Sequence, residues 1–98
     1  MGAAEVRVAC RLVPGGWDCH VKIRGEAGPT GASDHDVTVS EAELQRFGKD
    51  VSPERLVTAS ITFLLKREPA ESILRRFQLS EIERYFPEYP AEIGKLLE

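Results

Sequence analysis

Two stretches of alternating apolar and polar residues on either side of Pro14-Gly15-Gly16 constrain the fold of this chain more than any other feature. Alternation with a period of two is typical of strands that bury one face, and a turn sequence between two such strands is typical of a β-hairpin. The sequence therefore predicts antiparallel strands over residues 5–13 and 17–24. The apolar row of the hairpin consists of Val6, Val8, Cys10, Leu12, Trp17, Cys19, Val21 and Ile23.

Two registers of this hairpin keep the apolar row on one face. A two-residue loop at Gly15-Gly16 sets Arg7 opposite Arg24 and Arg11 opposite His20. Like charges that face each other across two strands destabilise the pair, whereas opposite charges stabilise it by roughly 0.2–1 kcal/mol. We therefore expect the alternative, a four-residue loop over residues 13–16. Its opposing pairs are Cys10 with Cys19, Arg11 with Asp18, and Glu5 with Arg24.

Residues 25–35 are rich in glycine and lack periodicity, so they predict a loop, and the alternation that follows predicts a short third strand over 36–40. Ser40 and Glu43 have the spacing of a capping box that opens a short helix ending at Gly48. Ser52-Pro53 is the expected start of a further helix. That helix is apolar around most of its circumference up to Leu65, which predicts a central position between the sheet and the other helices.

The last third of the chain predicts three short helices. The first covers residues 69–77, the second begins at a capping box formed by Ser80 and Glu83, and the third begins at Pro90. Strands followed by helices indicate an α+β fold: a three-stranded antiparallel sheet covered on one face by about five helices, in one domain over residues 1–98. The predicted core is Val6, Val8, Leu12, Trp17, Val21, Ile23, Val37, Val39, Leu44, Phe47, Leu56, Val57, Ile61, Leu64, Ile73, Leu74, Phe77, Ile82, Phe86 and Ile93.

Charge and targeting signals narrow the function classes. The 13 basic residues against 16 acidic ones give a net charge of -3, which disfavours a general binder of nucleic acid or of an anionic membrane. No apolar run has the length of a signal peptide or a membrane span, so we expect a cytoplasmic protein. In that compartment Cys10 and Cys19 are expected to stay reduced and to act as small buried hydrophobic residues.

Potential catalytic and metal-binding motifs are weak. Ser33-Asp34-His35-Asp36 has residue types that occur in metal and general-base sites, but it is interpreted as a polar turn before the third strand. The spacing Gly25, Gly28, Gly31 lacks the Lys and Ser/Thr of a phosphate-binding loop. No nucleophile and base converge in the pattern, so we expect a protein that is not an enzyme and that needs no metal or cofactor.

Two surfaces are candidates for binding a partner. One is the outer face of the hairpin, and the other is the aromatic segment 85–90, where exposed tyrosine would serve as an anchor. The alternative function is nucleic-acid binding, either through the same basic face or through a helix-turn-helix-like segment over residues 70–86. The candidate contact residues are Arg7, Arg11, His20, Lys22, Arg24, Tyr85 and Tyr89.

The stretch SITFLLKREPAESILRRFQLSEIERYFPEY, residues 60–89, resembles a group of short bacterial proteins of uncharacterised function. The resemblance covers about a third of the chain. It implies a bacterial cytosolic protein and supplies no activity, substrate or site. The expected function is therefore a small binding or adapter module whose partner is another protein or a second copy of the chain.

Overall fold

The fold is described from a computed structural model, which defines residues 5–24 and 32–98. The glycine-rich stretch 25–31, which contains the glycine spacing and most of the predicted loop over 25–35, lies outside the described residues. The α+β class predicted from the sequence is confirmed, with a four-stranded mixed sheet in place of three antiparallel strands.

Strands β1 (Glu5–Val13) and β2 (Gly16–Arg24) form the predicted antiparallel hairpin. The favoured register is confirmed: Cys10 faces Cys19 and Arg11 faces Asp18. Gly15 turns the chain with φ of 83°, a conformation that glycine adopts at little steric cost. The alternative loop at Gly15-Gly16 is wrong, because Gly16 already pairs with Val13 as the first residue of β2.

Strand β3 (Ala32–Ser40) pairs antiparallel with β2 along its whole length and is longer than the predicted 36–40. Its first half comes from the stretch interpreted as a polar turn, so that part of the prediction is wrong. At the other end of β3 the backbone approaches Gly16 so closely that a Cβ there would overlap the carbonyl oxygen of Val39. Glycine is therefore required sterically at the start of β2.

The fourth strand, β4 (Arg76–Gln78), pairs parallel with β3 and completes the sheet in the order β1-β2-β3-β4. The helix predicted over residues 69–77 is wrong. In its place a single 3₁₀ turn (Ala70–Ser72) leads into extended chain and then into β4. Pairing with β3 accounts for the difference, because Asp36 N–H donates to the carbonyl of Arg75 at 2.7 Å and Leu79 N–H donates to that of Thr38 at 2.9 Å.

Four α-helices lie in the described residues. Helix α1 (Glu41–Glu43) begins at the predicted capping box of Ser40 and Glu43 and continues as a π-helical turn (Leu44–Gly48). Helix α2 (Pro53–Leu65) begins at Ser52, whose hydroxyl accepts the Arg55 N–H. Helices α3 (Glu81–Tyr85) and α4 (Tyr89–Leu96) follow β4. The capping box predicted for Ser80 does not form, because the Ser80 side chain makes no capping hydrogen bond.

Helix α2 occupies the predicted central position, with β1 and β2 on one side and α4 and the π-helical turn on another. Leu56, Val57 and Ile61 on this helix are fully buried. Two residues predicted to lie in the core are exposed instead: Leu12 is 74% exposed and Leu74 is 49% exposed. The core instead includes Phe63, Leu79 and Tyr89. Within the residues described, no helix combines the length and apolarity needed to cross a membrane.

Candidate functional site

An apolar groove opens where the C-terminal end of α2, the extended chain before β4 and helix α3 meet. Its volume is about 170 Å³, whereas pockets for drug-sized ligands measure roughly 300–1,000 Å³. The groove therefore has room for one large apolar side chain. The residues that line it are Leu64, Glu68, Ser72, Ile73, Leu74, Phe77, Glu81, Ile82, Tyr85 and Phe86.

Exposed apolar side chains lie at the rim of this groove. Among the described residues three large hydrophobic side chains are exposed, namely Leu12, Leu74 and Tyr85, and the last two both line the groove. Ile73, Phe77 and Ile82 are buried and form its inner wall. Exposed and buried apolar groups thus line one continuous groove.

The charged residues that line the groove, Glu68 and Glu81, are both acidic. One carboxylate oxygen of Glu81 accepts the backbone N–H of Gln78 at 3.0 Å, which orients this side chain at the end of β4. A partner that places an apolar side chain in the groove would therefore meet negative charge at its edge.

A buried histidine fixes the position of the extended chain beside the groove. His35 is 1% exposed, and its Nδ1 donates to the carbonyl oxygen of Leu74 at 2.8 Å while Nε2 lies 2.8 Å from the Ser33 hydroxyl. Satisfied hydrogen bonds are what make a buried polar ring tolerable in a core. His35 therefore orients the backbone that carries Leu74 and is not available as a ligand or base.

The two tyrosines of segment 85–90 have different environments. Tyr85 is 66% exposed, whereas Tyr89 is fully buried. The Ser60 hydroxyl donates to the Leu56 carbonyl, so the Tyr89 hydroxyl donates to Ser60, at 2.7 Å. Burial raises the pKa of Tyr89 well above its ordinary value. The prediction that Tyr89 contacts a partner is therefore wrong, because its ring is buried. Tyr85 remains a candidate contact residue.

The outer face of the hairpin carries the five predicted basic residues, but carboxylates lie among them. Arg7 contacts Glu5 at 3.0 Å and Arg11 contacts Asp18 at 3.4 Å. The longer β3 adds further carboxylates that the sequence had not placed on this face. On the β3 side, Lys22 faces Asp34, whereas Arg24 faces the uncharged Ala32. The face is therefore mixed in charge instead of predominantly basic.

His20 lies between two of these carboxylates. Its Nδ1 is 3.3 Å from Asp36 and its Nε2 is 3.1 Å from Asp34. The hydrogen bonds to Asp36 and then to Asp34 raise the pKa of His20 above its ordinary value, since both favour the protonated ring. In the described residues no three or more His, Cys, Asp or Glu side chains are placed to hold a metal ion.

Cys10 and Cys19 form a disulfide between β1 and β2, with the Cα atoms 3.9 Å apart. The expectation that they are two reduced cysteines is therefore wrong. The predicted register had placed them opposite each other, but a sequence does not show whether opposing thiols are oxidised. The helix-turn-helix interpretation of residues 70–86 is also wrong, because this segment contains a strand where the first helix would be.

Comparison of the chain with protein-family models, with curated proteins and with solved structures found no match.

Proposed function

We propose that this chain is a small, non-enzymatic protein-binding module that captures a short segment of another protein in the groove between α2, β4 and α3. One observation carries the proposal: the exposed side chains of Leu74 and Tyr85 line the same groove, against a buried apolar wall. Tyrosine and large apolar residues around a pocket are typical anchors of protein interfaces.

The chemistry of the groove indicates the kind of segment that fits. Its volume suits one large apolar side chain, and Glu68 and Glu81 favour a basic residue beside that side chain. The proposed ligand is therefore a peptide segment with Leu, Ile, Met or Phe next to Lys or Arg. Protein binding is favoured over nucleic-acid binding because the groove is lined by acidic and apolar residues, and because carboxylates offset the basic residues of the hairpin face.

The experiment is a selection from a library of random peptides displayed on phage, with the full chain as bait. We expect enrichment of sequences in which a large apolar residue adjoins Lys or Arg. Affinity for a synthetic peptide of this kind should fall about tenfold or more in Leu74→Ser and Tyr85→Ser, because both changes remove exposed anchor groups without opening the core.

The matched control is Leu12→Ser, which removes an exposed apolar side chain on β1, at the opposite edge of the sheet from β4, and should leave the affinity unchanged. Glu68→Gln should weaken binding of the basic peptide and reduce its dependence on salt. Selected peptides that bind Leu74→Ser and Tyr85→Ser as well as the parent chain would contradict the proposal. A selection that does not enrich sequences with a large apolar residue next to Lys or Arg would also contradict the proposal.

A further inference from the structure

Strand β1 forms a long edge of the sheet. It has nine residues, it pairs with β2 without interruption, and it contains no proline. The opposite edge is β4, which has three residues. Proteins usually protect edges with short strands, proline, bulges or charged side chains, because an unpaired edge is a template for another strand. Within the described residues β1 is long and has no proline or bulge, its charged residues Glu5, Arg7 and Arg11 are of both signs, and its outer side has no strand partner.

The hydrogen-bonding groups on this edge follow from the hairpin geometry. Opposing residues of an antiparallel pair alternate between hydrogen-bonded positions and closer positions that are not hydrogen-bonded. The 3.9 Å separation of the Cys10 and Cys19 Cα atoms identifies a position of the second kind. Cys10 therefore directs its N–H and C=O away from β2, toward the outer edge. Val6 and Val8 do the same, because the pattern repeats every two residues.

The inner face of this edge is also incompletely covered. Val6, Val8 and Cys10 are half-buried, whereas Val21 and Ile23 on the neighbouring strand are fully buried. A strand added at the β1 edge would cover the half-buried row as well as satisfy the backbone groups. Two independent features of β1 thus point to an additional strand.

We infer that the additional strand is β1 of a second copy of the chain, paired antiparallel about a two-fold axis at Val8. In this register Val8 faces Val8 of the second copy and Val6 faces Cys10, so that the outward backbone groups meet. Glu5 then faces Arg11 of the second copy at both ends of the pairing, and Arg7 faces Ala9. The two four-stranded sheets become one continuous sheet.

Charge, together with the length of the overlap, selects this register from the others that the backbone allows. Centring the pairing on Ala9 sets Arg7 against Arg11 twice, and centring it on Arg7 sets that residue against itself. Centring it on Cys10 brings no opposite charges together, and centring it on Val6 faces Glu5 with Arg7 but pairs only residues 5–7 of β1. Like charges directly opposite are destabilising, and opposite charges stabilise. The axis at Val8 is therefore the self-complementary choice, and a second copy fits the edge better than an arbitrary peptide strand.

The experiment measures the mass of the full chain by sedimentation from micromolar to millimolar concentration. We expect the mass to rise from 10.9 kDa toward twice that value. Glu5→Arg alone and Arg11→Glu alone each place like charges at both ends of the pairing and should weaken dimerisation about tenfold. Mixing the two variants in equal amounts should restore the dimer, because each Arg then faces a Glu. Lys22→Glu makes the same charge change one strand inward and should leave dimerisation unchanged.

Amide hydrogen exchange gives a second, residue-specific measurement. The N–H groups of Val6, Val8 and Cys10 should become protected as concentration rises, whereas those of Arg7 and Ala9, bonded to β2, should be protected throughout. A chain that stays monomeric at millimolar concentration would overturn the inference. A parent dimer that protects other amides would also overturn it. So would a mixture of the Glu5→Arg and Arg11→Glu variants that fails to restore the dimer.

Discussion

Glu43 and Ser80 lie 37 residues apart in the sequence, and the Glu43 carboxylate accepts the backbone N–H of Ser80 at 2.9 Å. The same carboxylate accepts the Gln78 side-chain amide at 3.1 Å and the Ser40 N–H at 2.7 Å. Glu43 is 6% exposed, so these hydrogen bonds replace its hydration. One buried carboxylate thus connects the start of α1 to the connection between β4 and α3, beside the groove.

Replacing Glu43 should therefore destabilise the whole fold. Glu43→Ala leaves several donors without an acceptor, and we expect a loss of about 2–4 kcal/mol in the free energy of unfolding. Glu43→Gln keeps one acceptor oxygen and should cost less. Urea denaturation measures both changes. Glu41→Ala, an exposed position in the same helix, is the control and should differ little from the parent chain. Equal losses in Glu41→Ala and Glu43→Ala would contradict this role.

The central position of α2 predicts a large cavity cost at Ile61. Ile61 is fully buried on α2, the helix that packs against both the sheet and α4, so Ile61→Ala should lower the free energy of unfolding by about 2–5 kcal/mol. Leu12→Ala removes an exposed side chain and should cost less than about 0.5 kcal/mol. Denaturant melts of both variants test the assignment. A loss at Ile61 as small as that at Leu12 would show that the helix is not packed as described.

The disulfide predicts a stability that depends on redox conditions. Cys10 and Cys19 are nine residues apart, and closing a loop of that length stabilises a chain by about 2–3 kcal/mol in the chain-entropy description. A reductant should therefore lower the urea midpoint of the parent chain. The variant Cys10→Ser/Cys19→Ser should have a low midpoint with or without reductant. If the parent chain showed no response to reductant and reacted fully with a thiol reagent, the disulfide would be absent.

His20 predicts a pH dependence of stability with a definite sign. Its pKa is raised in the folded chain above the ordinary value of 6.5, because Asp36 and Asp34 hydrogen-bond the ring. Folding therefore favours the protonated ring. This contribution is fully present below the pKa of the unfolded chain and is lost as pH rises through the folded value.

The measurement is the melting temperature of the parent chain and of His20→Asn between about pH 5 and pH 9. The difference between the two should be largest at acidic pH and should shrink as pH rises. The ring protons of His20 should also titrate at higher pH than those of a free histidine. A difference that does not change with pH would contradict this assignment of the His20 environment.

The parts of the fold that the sequence predicted correctly are those with local signals. The hairpin register followed from the facing charges of Arg11 and Asp18, and the start of α1 followed from the spacing of Ser40 and Glu43. Strand β4 has no such signal: three residues are too few for a periodic pattern, and they are extended because they pair with β3, about forty residues earlier. The apolar residues Ile73, Leu74 and Phe77 fit one face of a helix equally well.

The candidate site was predicted only in part, for a similar reason. An exposed tyrosine was expected in the aromatic segment, but the pattern did not distinguish Tyr85 from the buried Tyr89. The groove also needs Leu74, whose position depends on the hydrogen bond from His35. His35 occupies an inward position of β3 as a polar residue, so the alternation of apolar residues does not extend to it. Its partners lie on other segments, and no local pattern in the sequence shows them.

Because β3 pairs with β4, which comes much later in the sequence, the sheet is completed late in synthesis on the ribosome. The hairpin, β3 and α2 are all synthesised before residues 76–78, so β3 is the open edge of a three-stranded sheet until those residues emerge. An emerging chain exposes Asp36 and Thr38 backbone groups that only the later segment satisfies. A truncation after α2 therefore leaves the nine-residue β3 as an open edge in place of the three-residue β4, and its products should be especially prone to aggregate and to be degraded.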